Sequence, residues 1–466
     1  MERLKLSPEQ YRKLAYRAAD LTSDFLKQLP TLPAFPETTG SESDDFFNRE
    51  LPEAPLGEAA FDDLAKVLEL SRPPSPRFFG YVLGSGEPVA AIGDLVASVL
   101  NQNATSWRSG PACATIERTV IRWLGEFIGC TGFSGSLTGG GSSANLMGLA
   151  IAREAKAPAN DHGAQPGVIY ASSEVHMSIP KAAALLGLGY HSIRTIGVDE
   201  KFQIRVDELE KAVAEDRAAG KRGIAIVGSA GTTNTGSIDP LEGMASIARL
   251  NDMWFHVDGA YGALAASVVP DKFRGLALAD SLSLDTHKWL YQPVDCGCLL
   301  YREPADAQRA FSHSGEYTKV LSTDPIEGFA FFEESVELSR RFRALKVWLS
   351  LRYHGAQAFR EAIAEDLRLA LHLASRIDER DELELLAPVN LSAVCFRYVR
   401  DGKSEEELNA LNAEIVKRSQ REGRVFFSNA NINGKFALRA CITNHRSSEK
   451  DVEAVIAETI RIAREL

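Results

Sequence analysis

The chain has 466 residues, of which 45% are hydrophobic and 25% are charged, and these proportions are ordinary for a soluble globular protein. Its length predicts two or three structural units rather than one compact core. The formal net charge of −11 argues against binding to nucleic acid, whose phosphates require clustered lysine and arginine. No stretch approaches the roughly 20 apolar residues of a membrane span, so we expect no membrane partner.

The N-terminus and the cysteines indicate a cytoplasmic protein. The first residues, MERLKLSPEQYRKLAYRAAD, are too charged for the apolar core of a secretory signal. The six cysteines are scattered, and only Cys296 and Cys298 lie close together, which is a poor zinc pattern without a second pair. We therefore expect reduced thiols and no metal site.

The predicted elements begin with a helical N-terminal arm. Residues up to Leu29 have helical spacing, residues 30–36 are proline-rich and should be extended, and residues 58–70 return to a helical pattern. Such an arm, which we assign to residues 1–75, buries little surface by itself. We therefore expect it to pack on a partner subunit.

The centre of the chain, residues 76–345, alternates short apolar runs with helical patterns such as Val206–Ala219 and Pro240–Leu250. This rhythm predicts an α/β domain with a mostly parallel sheet and helices on its faces. The predicted strands are Val168–Ala171, Ile224–Gly228, Trp254–Val257, Ser281–Leu284 and Cys298–Tyr301.

The pattern changes near residue 340. Residues 341–354 and 355–380 are helical, short strands follow at Ser392–Tyr398 and Phe436–Ile442, and a last helix starts at Ser448. We predict a smaller α+β domain over residues 346–466.

Two polar residues stand at the ends of predicted strands. Lys288 closely follows the strand Ser281–Leu284, where a lysine can meet a cofactor at the carboxyl edge of the sheet, although by itself a surface lysine is the simpler interpretation. Asp258 ends another strand. A carboxylate there needs a cation or a donor, such as a protonated pyridine nitrogen, unless it only caps a helix.

A glycine-rich segment, Leu137-Thr-Gly-Gly-Gly-Ser-Ser-Ala-Asn-Leu146, precedes the helical pattern 146–155. Glycines let the backbone close on an anion, and a helix N-terminus offers free N–H groups to it. The segment therefore has the form of a phosphate cradle, although it matches neither G-x-G-x-x-G nor a P-loop.

The combination of these three features is more specific than any one of them. Phosphate loop, aspartate and lysine, each on its own βα unit, would hold the phosphate, the ring nitrogen and the aldehyde of pyridoxal 5′-phosphate (PLP). His176, just past a strand, could stack on the pyridine ring, or it could be a capping or core histidine. Thr233 could bond the cofactor or a substrate carboxylate, or belong to a polar turn.

Taken together, the motifs resemble the group II PLP-dependent amino-acid decarboxylases, the family of aromatic-L-amino-acid, histidine, glutamate and 2,4-diaminobutyrate decarboxylases. The resemblance covers nearly the whole length of the chain. The segments that carry it are Ser106–Cys113 with Glu117, Gly139–Asn145, Val175–His176, Gly231–Thr233, His256–Asp258, His287–Trp289 and Glu337–Lys346.

The resemblance implies fold type I of the PLP-dependent transferases, with a mostly parallel seven-stranded sheet in the large domain. It implies a homodimer with active sites at the interface, residues 75–110 reaching toward the partner's pocket. It also implies decarboxylation of an L-amino acid to the amine and CO2. Lys288 would carry PLP as a Schiff base, Asp258 would pair with the ring nitrogen, and His176 would stack on the ring. The other implied cofactor contacts are Gly140, Gly141, Ser142, Thr233, Ala260, Asp285 and His287.

Two features depart from the aromatic decarboxylases. In an ungapped comparison Phe331 stands where they carry a tyrosine that protonates the reaction intermediate, and phenylalanine cannot donate a proton. Within the family, phenylalanine here accompanies oxidative, aldehyde-forming chemistry, unless Tyr317 or a partner group replaces the donor. The expected pocket positions Tyr81, Val82, Asn103 and Thr105, together with Phe331, favour a smaller or more polar substrate side chain. An aminotransferase or another lyase of the same fold is the further alternative.

Overall fold

The protein is described here by a computed structural model that covers residues 4–313 and 322–466. Tyr317, the alternative proton donor, lies outside these residues. The helices in the described part are α1 (Pro8–Gln28), α2 (Gly40–Phe47), α3 (Asp63–Leu70), α4 (Pro88–Leu100), α5 (Pro111–Phe127), α6 (Gly141–Lys156), α7 (Ser178–Leu185), α8 (Val206–Ala218), α9 (Leu241–Leu250), α10 (Thr286–Trp289), α11 (Pro304–Phe311), α12 (Ala344–Asp378), α13 (Glu405–Glu422) and α14 (Glu449–Glu465).

The strands form two sheets. One has seven strands in the order β2-β8-β7-β6-β5-β3-β4, and the other has five in the order β1-β11-β12-β10-β9. Their bounds are β1 (Phe78–Phe79), β2 (Ser134–Thr138), β3 (Val168–Ser172), β4 (Ile193–Ile196), β5 (Gly223–Ser229), β6 (Trp254–Asp258), β7 (Ser281–Asp285), β8 (Gly297–Tyr301), β9 (Leu383–Leu385), β10 (Ala393–Tyr398), β11 (Phe426–Ile432) and β12 (Lys435–Cys441).

The seven-stranded sheet is mostly parallel, as predicted. Strands β4, β3, β5, β6 and β7 pair in parallel, and β8 runs antiparallel to both β7 and β2. All five predicted central strands are confirmed with ends that differ by a residue or so. The sequence reading missed β2 and β4, because neither contains a long apolar run and both lie at an edge of the sheet.

Buried apolar side chains cover both faces of this sheet. On β6, Phe255 and Val257 pack with Leu282 and Leu284 of β7 in one apolar cluster. The alternate residue Trp254 belongs to a second cluster, with β3 and α6. Side chains of a strand point alternately to the two faces, so His256 and Asp258 lie on the α6 side.

The second sheet draws β1 from a distant part of the sequence. Phe78 and Phe79 pair in parallel with Phe426 and Phe427 of β11. Helix α12 contains a kink at Gly355, whose φ is +79°. The domain limits 1–75, 76–345 and 346–466 stay a prediction.

The N-terminal helices α1, α2 and α3 bury no residue within one chain, and their packing on a partner subunit stays a prediction. In the described ranges, no helix combines the length and the apolar character needed to cross a bilayer. All six cysteines lie in the described part and are buried free thiols.

A buried ion pair fastens the edge strand β2. Arg340 Nη2 lies 2.5 Å from Glu117 Oε1, and both side chains are at most 1% exposed. The N–H of Leu137 donates to Glu117 (2.9 Å), and Arg340 donates to the carbonyl of Leu137 (2.8 Å). The pair therefore satisfies the outward backbone groups of an edge strand, which would otherwise be buried without partners.

We expect Arg340→Met to lower the free energy of unfolding by about 3–5 kcal/mol, because it leaves the Glu117 carboxylate buried without its counter-ion. The matched control is Arg122→Met. It breaks an exposed pair with Glu126 on the same helix, α5, and should cost less than about 1 kcal/mol. Urea unfolding of both variants checks this, and equal losses would contradict it.

Candidate active site

Polar groups follow the carboxyl ends of β2, β3, β5, β6 and β7 and meet in one cavity of about 310 Å³. Because these strands run in the same direction, their carboxyl ends lie at the same edge of the sheet, the usual place for a ligand. All ten predicted cofactor-contact residues line this cavity: Gly140, Gly141, Ser142, His176, Thr233, Asp258, Ala260, Asp285, His287 and Lys288.

The glycine loop forms an open helix N-terminus. Gly140 has φ +132°, a backbone conformation that residues with a side chain rarely adopt. No side chain caps the first turn of α6. A Cβ on Gly141 would lie 2.6 Å from the Cβ of Ala260. The loop therefore presents backbone N–H groups to the cavity, and an anion such as phosphate fits there.

Asp258 is held by three neutral donors. Its Oδ1 accepts from Ser283 Oγ (3.1 Å) and from the N–H of Ala260 (3.2 Å), and its Oδ2 accepts from Asn145 Nδ2 (2.9 Å). These donors orient the carboxylate but do not neutralise it. A protonated ring nitrogen at the cavity would supply the missing positive charge.

Lys288 lies in α10, directly after β7. Its Nζ is 3.4 Å from Asp285 Oδ2, and its side chain is only 17% exposed. Asp285 Oδ1 is buried and has no hydrogen-bond partner among the described residues. His287 donates through Nδ1 to the carbonyl of Cys296 (3.2 Å), and its Nε2 is 3.6 Å from Asp285 Oδ2. The lysine amine is therefore set beside a carboxylate at the cavity wall.

His176 lines the cavity, and its surroundings favour the neutral imidazole. Burial lowers the pKa of His176, and the positive charge of Lys288 lowers it further. The negative charge of Asp258 raises this pKa, but by less than burial lowers it. Both the hydroxyl (2.8 Å) and the N–H (3.2 Å) of Ser178 approach Nδ1. An N–H can only donate, so Nδ1 is the acceptor, and the single proton of the neutral ring is on Nε2.

The five residues predicted to line the substrate pocket do not line this cavity within one chain. Tyr81 is 60% exposed, and Val82 packs on the edge of the core. Asn103 accepts from the N–H of Arg340, the carbonyl of Thr105 accepts from the N–H of Phe332, and Phe331 is fully buried. Their role in substrate binding stays a prediction.

The sequence analysis assigned no role to four residues that support the site: Asn145, which lines the cavity, and Ser178, His256 and Ser283, which do not. Asn145 and Ser283 donate to Asp258, Ser178 contacts His176, and His256 contacts Asn145. Spacing offered a signal for two of them. Asn145 is one helical turn beyond Gly141, and His256 is two residues before Asp258, on the same strand face.

The cavity fits PLP. A lysine amine, a buried carboxylate and an uncapped helix N-terminus match its aldehyde, its ring nitrogen and its phosphate, and the volume suits a ligand of this size. Fold and site together define a PLP-dependent enzyme.

Comparisons with known proteins agree. The model of the pyridoxal-dependent decarboxylase conserved domain matches residues 42–399. An aromatic-L-amino-acid decarboxylase of Bacillus atrophaeus is 34% identical, over 100% of this chain and 98% of that protein. A phenylacetaldehyde synthase of Petunia hybrida is 27% identical, over 94% and 91% of the two chains. The crystal structure of Oryza sativa TDC with PLP and tryptamine superposes with a TM-score of 0.91 at 26% identity, covering 99% of each chain.

The chain belongs to the family of PLP-dependent amino-acid decarboxylases. Its fold is fold type I, and its cofactor is PLP. The family and the fold expected from the sequence are confirmed.

We expect Gly141→Ala to weaken PLP binding by about tenfold or more, because the new Cβ meets Ala260 and must displace the glycine loop. The control is Gly40→Ala in α2, where a Cβ meets nothing within 4 Å. Titration of the apo protein with PLP measures both affinities. An unchanged affinity in Gly141→Ala would mean that this loop does not hold the phosphate.

Proposed function

We propose that the protein removes CO2 from an L-amino acid and releases the corresponding amine, with Lys288, Asp258 and His176 as its catalytic residues. The convergence of these three side chains in one cavity with the open N-terminus of α6 is the observation that carries the proposal. PLP, when bound, supplies an electron sink for the electrons of the bond between Cα and the carboxylate.

Each residue has a distinct task in this proposal. The Lys288 amine, which lies at the cavity beside Asp285, would hold the cofactor through its aldehyde. The Asp258 carboxylate, aligned by its three donors, holds the proton on the ring nitrogen. The neutral imidazole of His176 packs on the ring, and its Nε2–H is free to orient the substrate carboxylate. Gly140, Gly141 and Ser142 bind the phosphate, with Asp285 and His287 beside it, and Thr233 contacts the cofactor or a carboxylate.

A second candidate is oxidative decarboxylation and deamination to an aldehyde, which Phe331 favours. In that reaction the amino acid, O2 and one water molecule give the aldehyde, CO2, ammonia and H2O2. The O2 takes two electrons and two protons to become H2O2, and the water supplies the aldehyde oxygen. The ring of Phe331 is buried and has no hydroxyl group, so this side chain cannot donate a proton. The phenylacetaldehyde synthase among the relatives makes this reaction worth testing beside the first.

A panel of L-amino acids separates the two reactions. It should include aromatic residues, histidine, glutamate and 2,4-diaminobutyrate, with CO2, H2O2 and ammonia measured together. We expect at least one of these amino acids to release CO2 without peroxide. In Lys288→Ala the rate of CO2 release should fall by about 100-fold or more. The wild-type protein loaded with PLP but releasing no CO2 from any amino acid would refute both candidates.

Stoichiometric peroxide and ammonia would instead support the aldehyde reaction. In that case Phe331→Tyr should shift the product toward the amine, because it supplies a hydroxyl proton. Phe329→Tyr is the matched control, since its ring contacts that of Phe331 edge to face (centroids 4.7 Å apart). An identical effect of the two substitutions would mean that Phe331 is not the relevant position.

We also propose a homodimer that covers the outward face of α4. Gly93 of this helix packs so closely on α12 that a Cβ there would lie 2.9 Å from the Cα of Lys346. Away from this contact, α4 carries an apolar stripe at helical spacing, and its members are 45–61% exposed within one chain. The stripe consists of Ile92, Leu95, Val96, Val99 and Leu100.

The double variant Leu95→Glu and Val99→Glu should make the protein monomeric, because it would bury two charges at the interface. Leu250→Glu is the control, since Leu250 is an isolated apolar residue, 80% exposed at the end of α9. Sedimentation velocity measures the mass of each. A monomeric wild type, or a dimer that survives the double substitution, would disprove this interface.

A further inference from the structure

A chain of hydrogen bonds leads from the core to Asp258. Trp254 Nε1 donates to Ser281 Oγ (2.8 Å), and Ser281 Oγ lies 2.8 Å from His256 Nδ1. His256 Nε2 lies 3.0 Å from Asn145 Oδ1, and Asn145 Nδ2 donates to Asp258 Oδ2 (2.9 Å). Every side chain of this relay is buried.

The residues at the two ends of the relay fix the direction, from donor to acceptor, of all its hydrogen bonds. The indole N–H of Trp254 can only donate, and the carboxylate of Asp258 can only accept. Because the amide of Asn145 uses its Nδ2 on Asp258, its oxygen must accept from His256. The His256 proton is therefore on Nε2, and its Nδ1 accepts the hydroxyl proton of Ser281.

The direction requires a neutral His256. Burial is the dominant influence on this ring and lowers the pKa of His256 to about 4. The ring also depends on a small neighbour, since a Cβ on Gly148 of α6 would lie 2.6 Å from His256 Cε1. The fold thus makes room for a neutral, oriented imidazole behind the cavity.

Asn145 also connects the relay to His176, the residue that we propose packs on the cofactor ring. Its Nδ2 also donates to Ser178 Oγ (2.9 Å), and the Ser178 hydroxyl is the group that meets Nδ1 of His176 (2.8 Å). Ser178 Oγ accepts from the amide, so its own proton is free for the imidazole. One amide group therefore contacts Asp258 directly and His176 through a single hydroxyl.

We propose that Asn145 and His256 are positioning residues that aim the Asp258 carboxylate at the ring nitrogen of PLP and, through Ser178, keep the His176 proton on its cavity side. The inference rests on the roles proposed above for Asp258 and His176. A purely structural network would stabilise the protein equally with and without cofactor. A positioning network contributes more when PLP is bound, because an oriented acceptor interacts only with a ring nitrogen that is present.

The test measures PLP affinity and melting temperature in the apo and PLP-bound protein. His256→Phe keeps a ring but removes both hydrogen-bonding nitrogens. It should weaken PLP binding by about tenfold and reduce the rise in melting temperature that PLP produces. His256→Gln should restore most of the affinity, because its amide can donate to Asn145 and accept from Ser281.

The relay also predicts a graded series. The loss of affinity should be largest for Asn145→Ala, smaller for His256→Phe and smallest for Trp254→Phe, in the order of distance from Asp258. Gly148→Ala supplies an independent route if His256→Phe fails to fold, because it pushes the imidazole aside without removing a donor or an acceptor. We expect it, too, to weaken PLP binding.

Equal losses of melting temperature in the apo and PLP-bound forms, with unchanged PLP affinity, would overturn the inference. Asp258→Asn distinguishes that result from a failure of the proposed function. If Asp258→Asn weakens PLP binding while the relay variants do not, only the relay is wrong. If Asp258→Asn also leaves PLP binding unchanged, the proposed role of Asp258 is wrong, and the relay falls with it.

Discussion

The ion pair between Arg340 and Glu117 is the interaction on which the glycine loop depends. It joins α5 and the segment before α12 to β2, an edge strand that pairs on one side only. Its contacts are with the backbone of Leu137, two residues before the first glycine of the loop. Because a buried pair loses its solvation, its worth depends on these extra hydrogen bonds. The pair therefore stabilises the fold and, in addition, fixes the position of the strand end that leads into the glycine loop.

The parallel sheet explains why so much of the site could be predicted from the sequence. Its inner strands are buried on both faces, and β5 and β6 are largely apolar, while β7 alternates serine with leucine. Lys288, Asp258 and His176 stand at or just after the ends of inner strands, and parallel strands bring their carboxyl ends to one edge. A strand at the edge gives no such signal. β2, with the sequence Ser-Gly-Ser-Leu-Thr, was not predicted, and only the glycines that follow it were singled out.

The residues that support Asp258 and His176 could not be predicted for a different reason. Asn145 and His256 stand in motifs that the sequence singled out, but their function depends on a contact between residues 111 positions apart. Hydrogen-bond direction depends on which atom meets which, and spacing within a helix or a strand does not give that. The substrate pocket was harder still, because none of the five residues predicted for it lines the cavity within one chain, and Tyr81 is 60% exposed there.

Phe331 matters both for the choice between the two proposed reactions and for the packing of the fold. Its ring packs on the guanidinium of Arg340, whose carbon lies 4.3 Å from the ring centroid, and the adjacent Ala330 pairs with Ser106. The residue that a sequence comparison aligns with a proton donor is thus part of the packing around the buried ion pair. Phe331 does not line the cavity of its own chain. Packing on Arg340 is a role that a phenyl ring fills without a hydroxyl group. Selection for packing on Arg340 explains a phenyl ring here as well as selection for aldehyde formation does, and only the products distinguish the two.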